Sequence, residues 1–267
     1  MSESAAPPTA AAATGGRRRQ PGELFGVVSL VVAPVLIGLL ALGLYLFYQH
    51  LDLENAVQQQ RSALAWRGKL LPQTQQLILI AFYSTLLVIA IAVPLGILLT
   101  RPAFRKIAPA VLAVANVGQA TPAYGLLAVG LILLGQGAIT VIYALAFFAL
   151  LPVLRNTMLG LESVDRNVIE AGRGMGMTRL GILLRIELPL AVPVITAGVR
   201  TAMVINIGMA TLAYTIAGGG LGITISSGLK LRQNDVVLVG TMLVALIALT
   251  FDYVGALLER FLKPKGI

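Results

Sequence analysis

Residues 77–100 read LILIAFYSTLLVIAIAVPLGILLT and contain no Asp, Glu, Lys or Arg. A helix of about 20 apolar residues spans the hydrocarbon core of a bilayer, so this run predicts one transmembrane helix. Residues 24–48 form a second uncharged run of the same kind. A third run, 107–154, is 48 residues long and is predicted to hold two spans that separate at Gly135-Gln136-Gly137.

Two further apolar runs carry one charge each: residues 190–217 contain Arg200, and residues 236–258 contain Asp252. They bring the predicted total to about six transmembrane helices. The composition agrees, because 57% of the residues are hydrophobic and only 12% are charged, whereas soluble domains carry roughly 25% charged residues. The predicted fold class is therefore an all-α polytopic membrane protein.

The formal net charge of +9 also fits a protein that binds nucleic acid. With the N-terminus placed inside, 14 of the 20 Lys and Arg residues fall in internal segments and 5 in external ones. Because Lys and Arg accumulate in cytoplasmic loops of membrane proteins, both termini are predicted to lie in the cytoplasm. No basic patch with interleaved aromatic residues is present, so we expect a lipid bilayer and no nucleic acid as the partner of this charge.

Residue types that carry catalysis or bind metals are scarce. Cysteine is absent and His50 is the single histidine, which excludes disulfides, thiol catalysis and cysteine-based metal sites. The sequence contains no G-x-x-x-x-G-K-[ST] phosphate loop and no serine–histidine–aspartate set or carboxylate pair in a pocket. We therefore expect no catalytic residue, metal or cofactor on this chain.

Composition divides the chain into four parts. They are a disordered cytoplasmic tail (1–22), a first transmembrane helix with an external loop (23–76, of which 49–76 is the loop), a membrane core (77–258) with an internal loop (155–188), and a cytoplasmic tail (259–267). The first apolar run is too long for a signal-peptide core and no A-x-A site follows it, so it is predicted to be retained. Residues 52–66 form either a short helix on the outer surface or a solvated loop, and Pro72 interrupts the external loop.

The internal loop holds a pattern of small and charged residues. Residues 170–176 read EAGRGMG and, after nine intervening residues, residues 186–189 read IELP. Ser163 or Asp165 can cap a short helix that reaches about Arg173, because their side chains accept hydrogen bonds from the free N–H groups of a helix start. A first short helix is therefore predicted ahead of the glycines.

The second half of the loop predicts a turn and another helix. Gly174 and Gly176 permit a sharp turn, since glycine adopts backbone conformations closed to other residues. Thr178 can cap a second short helix that runs to about Leu188. Pro189 then begins the next membrane helix. The predicted element is a compact helix-turn-helix on the cytoplasmic face.

The spacing of residues 170–189 resembles the EAA signature of binding-protein-dependent ABC transporter permeases, which reads E-A-A, three residues, G, nine residues and I-x-L-P. One position departs from it, since Gly172 stands where the second Ala is expected. The resemblance implies the type I ABC importer permease fold, in which this element seats in a cleft of the ATP-binding subunit. The implied coupling residues are Glu170, Ala171, Gly172, Gly176, Ile186, Leu188 and Pro189.

Shorter segments resemble the glycine betaine/carnitine/choline branch of osmoprotectant importers. They are LPVLRNT (151–157), GMGMT (174–178), ELP (187–189), AGVRT (197–201) and GGGLG (218–222). The resemblance covers roughly residues 77–258 and leaves out the tail and the first helix. It implies the permease subunit of an ATP-driven importer for glycine betaine or another quaternary amine, which works by alternating access in the bacterial cytoplasmic (inner) membrane.

The resemblance also implies partners. An ATP-binding subunit would hold ATP-Mg, a second permease copy or a paralogue would complete the pore, and a separate extracytoplasmic substrate-binding protein would deliver the solute. Two alternatives stay open: an ABC permease for another small solute such as an amino acid, and a secondary transporter that works alone. A membrane-embedded enzyme is disfavoured, because no nucleophile–base set is present.

Polar residues within the apolar runs are candidates for a translocation path. Residues 116–122 (NVGQATP) either line a watery path or pack helices closely together. Arg200 is either functional or reaches the membrane surface with its long side chain, and Asp252 is either functional or has an interfacial or helix-pairing role. The candidate path residues are Asn116, Gln119, Thr121, Tyr124, Arg200, Asn206 and Thr211, with the glycines 218–220 as a gate.

Tyrosines offer a second set of candidates, since aromatic rings attract quaternary amines through cation–π interactions. In membrane proteins, tyrosines also anchor helices at the bilayer surface. Both interpretations apply to Tyr83, Tyr124, Tyr143 and Tyr214.

Overall fold

The apolar runs form long helices in a computed structural model that describes residues 21–52 and 56–262, with side chains from residue 32 onward. Most of the predicted tail 1–22 and residues 263–267 lie outside the described residues. Within the described ranges the regular structure is helical throughout. In chain order the α-helices are α1 (Pro21–His50), α2 (Gln58–Ala63), α3 (Leu71–Leu99), α4 (Ala108–Ala120), α5 (Ala123–Leu134), α6 (Ala138–Phe148), α7 (Leu150–Glu162), α8 (Arg166–Gly174), α9 (Arg179–Ile182), α10 (Leu188–Ala210), α11 (Gly222–Lys230) and α12 (Asn234–Leu262).

Six segments account for the predicted membrane spans. Four are single helical runs that are long and apolar enough to cross a bilayer: Val32–His50, Trp66–Leu99, Arg179–Ile216 and Asn234–Leu262. Two more are bent pairs, Arg105–Ala120 with Ala123–Leu134, and Ala138–Phe148 with Leu150–Glu162. If each bent pair is one span, the described residues contain six, which confirms the prediction of about six.

The predicted break at residues 135–137 separates α5 from α6. Gly135 and Gly137 have φ angles of +83° and +121°, a region in which residues with a Cβ are strained. The N–H of Gly137 donates to the carbonyl of Ile216 at 2.9 Å and so ties the break to the end of a distant helical run. The two glycines therefore turn the chain between α5 and α6, at a point where the apolar run 107–154 has no charged residue to mark a boundary.

Glycines also let α3, α7 and α10 pack closely. An added Cβ at Gly96 would lie 2.7 Å from the Thr157 side chain, and one at Gly160 would lie 3.1 Å from the carbonyl of Ala191. One at Gly198 would lie 2.6 Å from the Asn156 amide. Small residues at such contacts are typical of helix pairs in membranes. These three helices form the centre of the fold.

The external loop is shorter than the predicted segment 49–76. Among the described residues of the stretch 52–66, Gln58–Ala63 form α2 and Trp66 begins a π turn, and Leu64 between them is fully buried. The Tyr48 hydroxyl donates to the Leu64 carbonyl at 2.8 Å and holds the loop on α1. Pro72 does not interrupt the loop: it lies in the first turn of α3, directly after the π turn Trp66–Leu70 and inside the continuous helical run Trp66–Leu99.

Candidate functional site

Asp165 starts helix α8. Its Oδ1 accepts a hydrogen bond from the backbone N–H of Asn167 at 2.9 Å, which makes Asp165 the N-cap. Ser163, the other predicted cap, donates its hydroxyl to the carbonyl of Gly160 at 2.8 Å and so belongs to the end of α7. Helix α8 ends at Gly174, one residue beyond the predicted end.

A tight turn follows α8. Gly176 has a φ of +79°, in the left-handed region that favours glycine. The N–H of Met177 donates to the carbonyl of Gly172 at 3.1 Å and closes the end of the helix. The Thr178 hydroxyl oxygen accepts from the N–H of Gly181 at 3.1 Å and caps α9. The predicted helix-turn-helix is confirmed.

The second helix of this element differs from the prediction. Helix α9 passes through a π turn, Leu183–Glu187, directly into α10, so that Arg179–Ile216 is a single continuous run. Pro189 lies in the first turn of α10 as predicted, yet no break precedes it. A proline removes one hydrogen bond from the helical ladder, and the wider π turn absorbs the resulting mismatch. The short second helix and the membrane helix are therefore one body.

Gly172 faces inward. It is buried, and an added Cβ would lie 2.7 Å from Cδ1 of Ile186 in the π turn. Glu170, Ala171 and Gly176 are exposed on the other side of the element. Gly172 thus brings α8 against the start of α10, while its neighbours remain available to a partner. The remaining implied coupling residues are half-buried (Ile186, Leu188) or exposed (Pro189).

The exposed side of the helix-turn-helix mixes apolar and cationic side chains. Met175 at the turn is 75% exposed. Mixed apolar and arginine-rich surfaces of this kind are typical of protein–protein interfaces. The exposed apolar residues are Val168, Met175, Leu180 and Leu184, and the exposed arginines are Arg166, Arg173, Arg179 and Arg185.

An ion pair missed by the sequence analysis joins the element to α3. Arg101, just after α3, donates to both carboxylate oxygens of the largely buried Glu187, at 3.3 Å and 2.5 Å. Beside this pair lies a cavity of about 340 Å³ whose lining includes Arg105, Glu162 and Arg166. Arg101 directly follows the uncharged run 77–100, and Glu187 lies inside the IELP segment. The residues next to each of them in the sequence gave no sign that the two side chains pair.

Four candidate path residues lie around a sharp bend. Helices α4 and α5 meet at 103°, and the Thr121 hydroxyl donates to the Val117 carbonyl at 2.7 Å at the end of α4. Asn116 and Tyr124 are exposed, while Gln119 is half-buried. Broken helices line sites in transporters, because irregular backbone at membrane depth is tolerated only beside protein or water. The bend therefore lies within the polar 116–122 stretch.

Asn206 and Thr211 sit differently. Asn206 is fully buried, and its Nδ2 donates to the Thr85 hydroxyl on α3 at 3.0 Å. Its Oδ1 has no hydrogen-bond partner within the described part of the chain. Thr211 is half-buried at the start of the 3-10 segment Thr211–Ile216, and its hydroxyl donates to Gly208 at 2.7 Å. In this conformation Asn206 joins two helices and contacts no open path.

Arg200 pairs α10 with α12. Its Nε lies 2.8 Å from Oδ1 of Asp252, and its Nη1 lies 3.3 Å from Oε2 of Glu259. Gly255 lies under the aliphatic part of this arginine, where an added Cβ would come within 2.8 Å. The geometry therefore favours the helix-pairing interpretation of Asp252 and places Arg200 in the same contact.

The glycines 218–220 are held by α3. The Gln76 Oε1 accepts from the N–H of Gly220 at 3.0 Å, and Gln73 accepts from the Thr224 hydroxyl at 2.5 Å. Gly219 and Gly220 have φ angles of +91° and +86°, which only glycine adopts freely. Neither glutamine was predicted from the sequence, although the three glutamines directly before the apolar run 77–100 were a usable signal.

The four candidate tyrosines do not form one group. Tyr83 packs edge to face on Phe82, with ring centroids 5.7 Å apart, and Tyr143 is about half exposed on α6. Tyr124 is 54% exposed in the first turn of α5, and Tyr214 is half-buried in the 3-10 segment Thr211–Ile216. Among the described residues, no group of three or more His, Cys, Asp or Glu side chains is arranged to hold a metal ion.

Comparison with known proteins places most of the chain in one family. Residues 92–264 match the family described as binding-protein-dependent transport system inner membrane component. The chain is 43% identical over 200 residues to the glycine betaine/carnitine/choline transport system permease protein OpuCB of Bacillus subtilis (strain 168), which covers 75% of this chain and 91% of that protein.

Other relatives carry related names. The chain is 43% identical over 200 residues to the choline transport system permease protein OpuBB of Bacillus subtilis (strain 168), with coverage of 75% and 91%. It is 37% identical over 193 residues to the osmoprotectant import permease protein OsmY of Salmonella typhimurium, with coverage of 72% and 82%. A chain of the MetNI methionine ABC transporter, solved in inward-facing conformations, shares the fold with a TM-score of 0.65 at 22% identity, over 73% of this chain and 96% of that one.

Proposed function

Because the chain belongs to the family of binding-protein-dependent transport system inner membrane components, we propose that it is the permease subunit of an ATP-driven importer for quaternary-amine osmoprotectants. The observation that carries this proposal is the 43% identity to a glycine betaine/carnitine/choline permease over 91% of that protein's length. The bacterial inner membrane is the proposed location, and glycine betaine, carnitine and choline are the proposed solutes.

ATP hydrolysis belongs to a partner under this proposal, because the sequence has no phosphate loop. The helix-turn-helix of α8 and α9 is the surface for the ATP-binding subunit. Glu170 and Ala171 stand exposed on α8, and exposed apolar side chains beside them supply area to bury. Gly172 and Ile186 pack the element from behind, so force applied to α8 reaches α10 without a flexible joint.

Alternating access then follows from a shift between two global states. ATP binding by the partner favours one state through its contacts with the exposed face of α8, since a ligand shifts an equilibrium only through different affinities for its two states. A second permease copy or a paralogue completes the pore. An extracytoplasmic binding protein delivers the solute to the outward-open state, and hydrolysis returns the permease to the inward-open state.

The first test is co-purification. The permease is expressed with its ATP-binding subunit and purified by its own tag in mild detergent, as wild type, Glu170→Arg and the control Glu162→Arg. Both acidic residues are exposed and lie eight positions apart, but Glu162 ends α7, outside the docking element. We expect the subunit with wild type and control, and its loss with Glu170→Arg. A folded wild-type permease that retains no ATP-binding subunit would instead favour a transporter that works alone.

The second test addresses the solute. The permease, the ATP-binding subunit and the binding protein are reconstituted in liposomes, and ATP-dependent uptake of radiolabelled glycine betaine, carnitine, choline and methionine is compared. We expect uptake of at least one quaternary amine and none of methionine. Uptake of methionine alone would support the alternative of an amino-acid permease.

A further inference from the structure

A groove runs between α1 and α12 and has a volume of about 370 Å³. Its lining is almost entirely apolar, and the buried side chains of Leu44, Val239 and Leu243 form its floor. Its open side lies next to Tyr45, which is 59% exposed. Among residues 32–50 of α1, Leu44 is the single buried side chain. The chain itself therefore covers little of the first helix, and the groove follows the contact of that helix with the core.

The depth of the groove matches one leaflet of a bilayer. Its lining residues fall within 41–49 on α1 and within 239–246 on α12. Both helices contain runs that are long and apolar enough to cross a membrane. At 1.5 Å per residue the stretch 41–49 measures roughly 12 Å, and one leaflet is about half of a hydrocarbon core of roughly 30 Å. The groove therefore extends from one end of the two spans to near the middle of the bilayer.

Aromatic side chains mark the outer end of the groove. This end lies at the last turns of α1 and the first turns of α12, which the distribution of Lys and Arg assigns to the outer side. Tyr48 and Trp66 line it, and the Tyr48 hydroxyl donates to the carbonyl of Leu64 at 2.8 Å. Tyrosine and tryptophan are enriched where a membrane meets water. The groove therefore reaches the level of the lipid headgroups.

Two exposed cations, Arg67 and Lys69, lie within three positions of that tryptophan in the sequence. Residues 61–71 contain no acid. Within the residues that the structure describes, neither cation forms an ion pair with a carboxylate. Asp235, at the start of α12, accepts a hydrogen bond from Gln60 at 3.0 Å. The aromatic end of the groove is therefore followed by two cations that are available to an anion.

A phospholipid matches both parts of this arrangement. One acyl chain is apolar and has the length of a leaflet, so it suits a groove of this depth. A groove left unfilled would deprive its walls of contacts on one side. The phosphate at the head of the lipid accepts charge-assisted hydrogen bonds from Arg and Lys, and anionic headgroups attract basic residues near the membrane surface.

We propose that the groove binds an acyl chain of one anionic phospholipid from the outer leaflet, with the lipid phosphate on Arg67 and Lys69. The bound lipid fills the space between α1 and α12 and fastens the first helix to the core. This inference goes beyond the proposed function and holds whichever solute is transported. A second copy of the chain is the competing occupant of the groove, and the test distinguishes it from a lipid.

Trp66 supplies a direct probe of occupancy, because it lines the groove and is the single tryptophan of the sequence. The purified permease is titrated in one detergent with phosphatidylglycerol whose acyl chains carry bromine, which quenches tryptophan fluorescence on contact. Brominated phosphatidylethanolamine is the zwitterionic comparison. Phosphatidylglycerol without bromine is the competitor, which should restore the fluorescence.

Two variants and two matched controls are compared with wild type. Ala41→Phe fills the groove, and its control is Ala245→Phe, since Ala245 is exposed on α12 and does not line the groove. The pair Arg67→Gln with Lys69→Gln removes both cations. Its control is Lys230→Gln with Arg232→Gln, which removes two exposed outer cations of the same spacing from another loop.

We expect saturable quenching of wild type by brominated phosphatidylglycerol, and its loss in Ala41→Phe but not in Ala245→Phe. Removal of Arg67 and Lys69 should weaken the apparent affinity for phosphatidylglycerol about tenfold or more, because each basic residue near an anionic membrane surface is worth about a fivefold change in binding. The same variant should change the affinity for phosphatidylethanolamine less than about twofold, since that headgroup has no net charge. Both control variants should bind as wild type.

Quenching that rises linearly with the fraction of brominated lipid, equally for both headgroups and in every variant, would show an unselective lipid shell and overturn the proposal. Absence of quenching in wild type also overturns it, and a dimer that Ala41→Phe converts to monomers in light scattering would assign the groove to a second copy. Should Ala41→Phe fail to fold, the glutamine variants still decide the proposal, because they alter exposed side chains alone. The proposed function is decided separately by co-purification and uptake.

Discussion

Removal of the Glu187 carboxylate is expected to destabilise the inner end of the permease by about 2 kcal/mol. Loss of one partner from a fully buried ion pair costs about 3–5 kcal/mol, and loss of an exposed pair costs about 0–1 kcal/mol. The Glu187 side chain is 11% exposed and that of Arg101 is 34% exposed, which places this pair between the two limits. The pair is bidentate, but one of its two hydrogen bonds is long, at 3.3 Å. The expected cost is therefore about 2 kcal/mol, below the range for a fully buried pair.

The assay is thermal unfolding of the purified permease in one detergent. A loss of about 2 kcal/mol lowers the midpoint by about 4–8 °C for a chain of this size, and we expect this for Glu187→Ala. The control Glu162→Ala removes an exposed carboxylate from the wall of the same cavity and should shift the midpoint by about 1–2 °C at most. The exchange Arg101→Glu with Glu187→Arg should recover part of the loss. Equal midpoints for Glu187→Ala and Glu162→Ala would refute the reasoning.

Three further predictions concern helix packing and capping. Gly198→Leu should lower the free energy of unfolding by about 1–3 kcal/mol, because its Cβ would collide with Asn156. Gly208→Ala, with open space around it, should raise the free energy of unfolding by about 0.5–1 kcal/mol. A shift of the unfolding midpoint in the same direction for both variants would contradict the packing. Asn206→Leu should leave the free energy of unfolding unchanged or raise it by about 1 kcal/mol, because it removes the buried Oδ1, which accepts no hydrogen bond from the described residues. A large drop in the unfolding midpoint would argue against this account. Asp165→Ala should weaken α8 by about 1 kcal/mol, seen as faster hydrogen exchange confined to residues 166–174, whereas unchanged exchange there would exclude the cap.

Features fixed by local chemistry were predictable from the sequence. The uncharged runs marked the spans, because a bilayer core excludes charged side chains over a length of about 20 residues. Asp165 and Thr178 start their helices by hydrogen bonds to N–H groups two or three residues away, and Gly135 and Gly137 turn the chain by their own φ angles. Each of these features is set by nearby residues, although the break at Gly137 is also held by a hydrogen bond to the distant Ile216.

Features that depend on distant contacts were not predictable. Arg101 and Glu187 are 86 residues apart, and Arg200 shares its contact with Asp252 and Glu259 from another helix. The sequence left the roles of Arg200 and Asp252 open, because one charge in a helix has no partner until the helices pack. The 116–122 stretch stood out by composition, but the 103° angle between α4 and α5 did not follow from it.

Prolines show how local and distant effects combine. The two π turns, Trp66–Leu70 and Leu183–Glu187, both end two residues before a proline, Pro72 and Pro189. A proline in a regular helix removes a hydrogen bond and crowds the preceding turn. For that reason Pro72 was predicted to interrupt the external loop and Pro189 to begin a membrane helix. The wider turn resolves the clash without breaking the helix. At both prolines the helix continues through a π turn, so a proline alone does not predict where a membrane helix ends.

The continuity of the helical run from Arg179 to Ile216 bears on how the two ends of the permease communicate under the proposed function. The run begins at the cap of α9, next to the docking surface, and ends in the 3-10 segment that carries Tyr214. At 1.5 Å per residue, α10 alone measures roughly 35 Å, about the thickness of the bilayer core. Because Gly172 packs α8 onto this run without space for a methyl group, a displacement of α8 moves the run and is not absorbed between them. Under the proposed function, a shift at the ATP-binding subunit therefore reaches the 3-10 segment Thr211–Ile216 by rigid-body motion, and variants that loosen the Gly172–Ile186 contact should uncouple ATP hydrolysis from uptake without weakening solute binding.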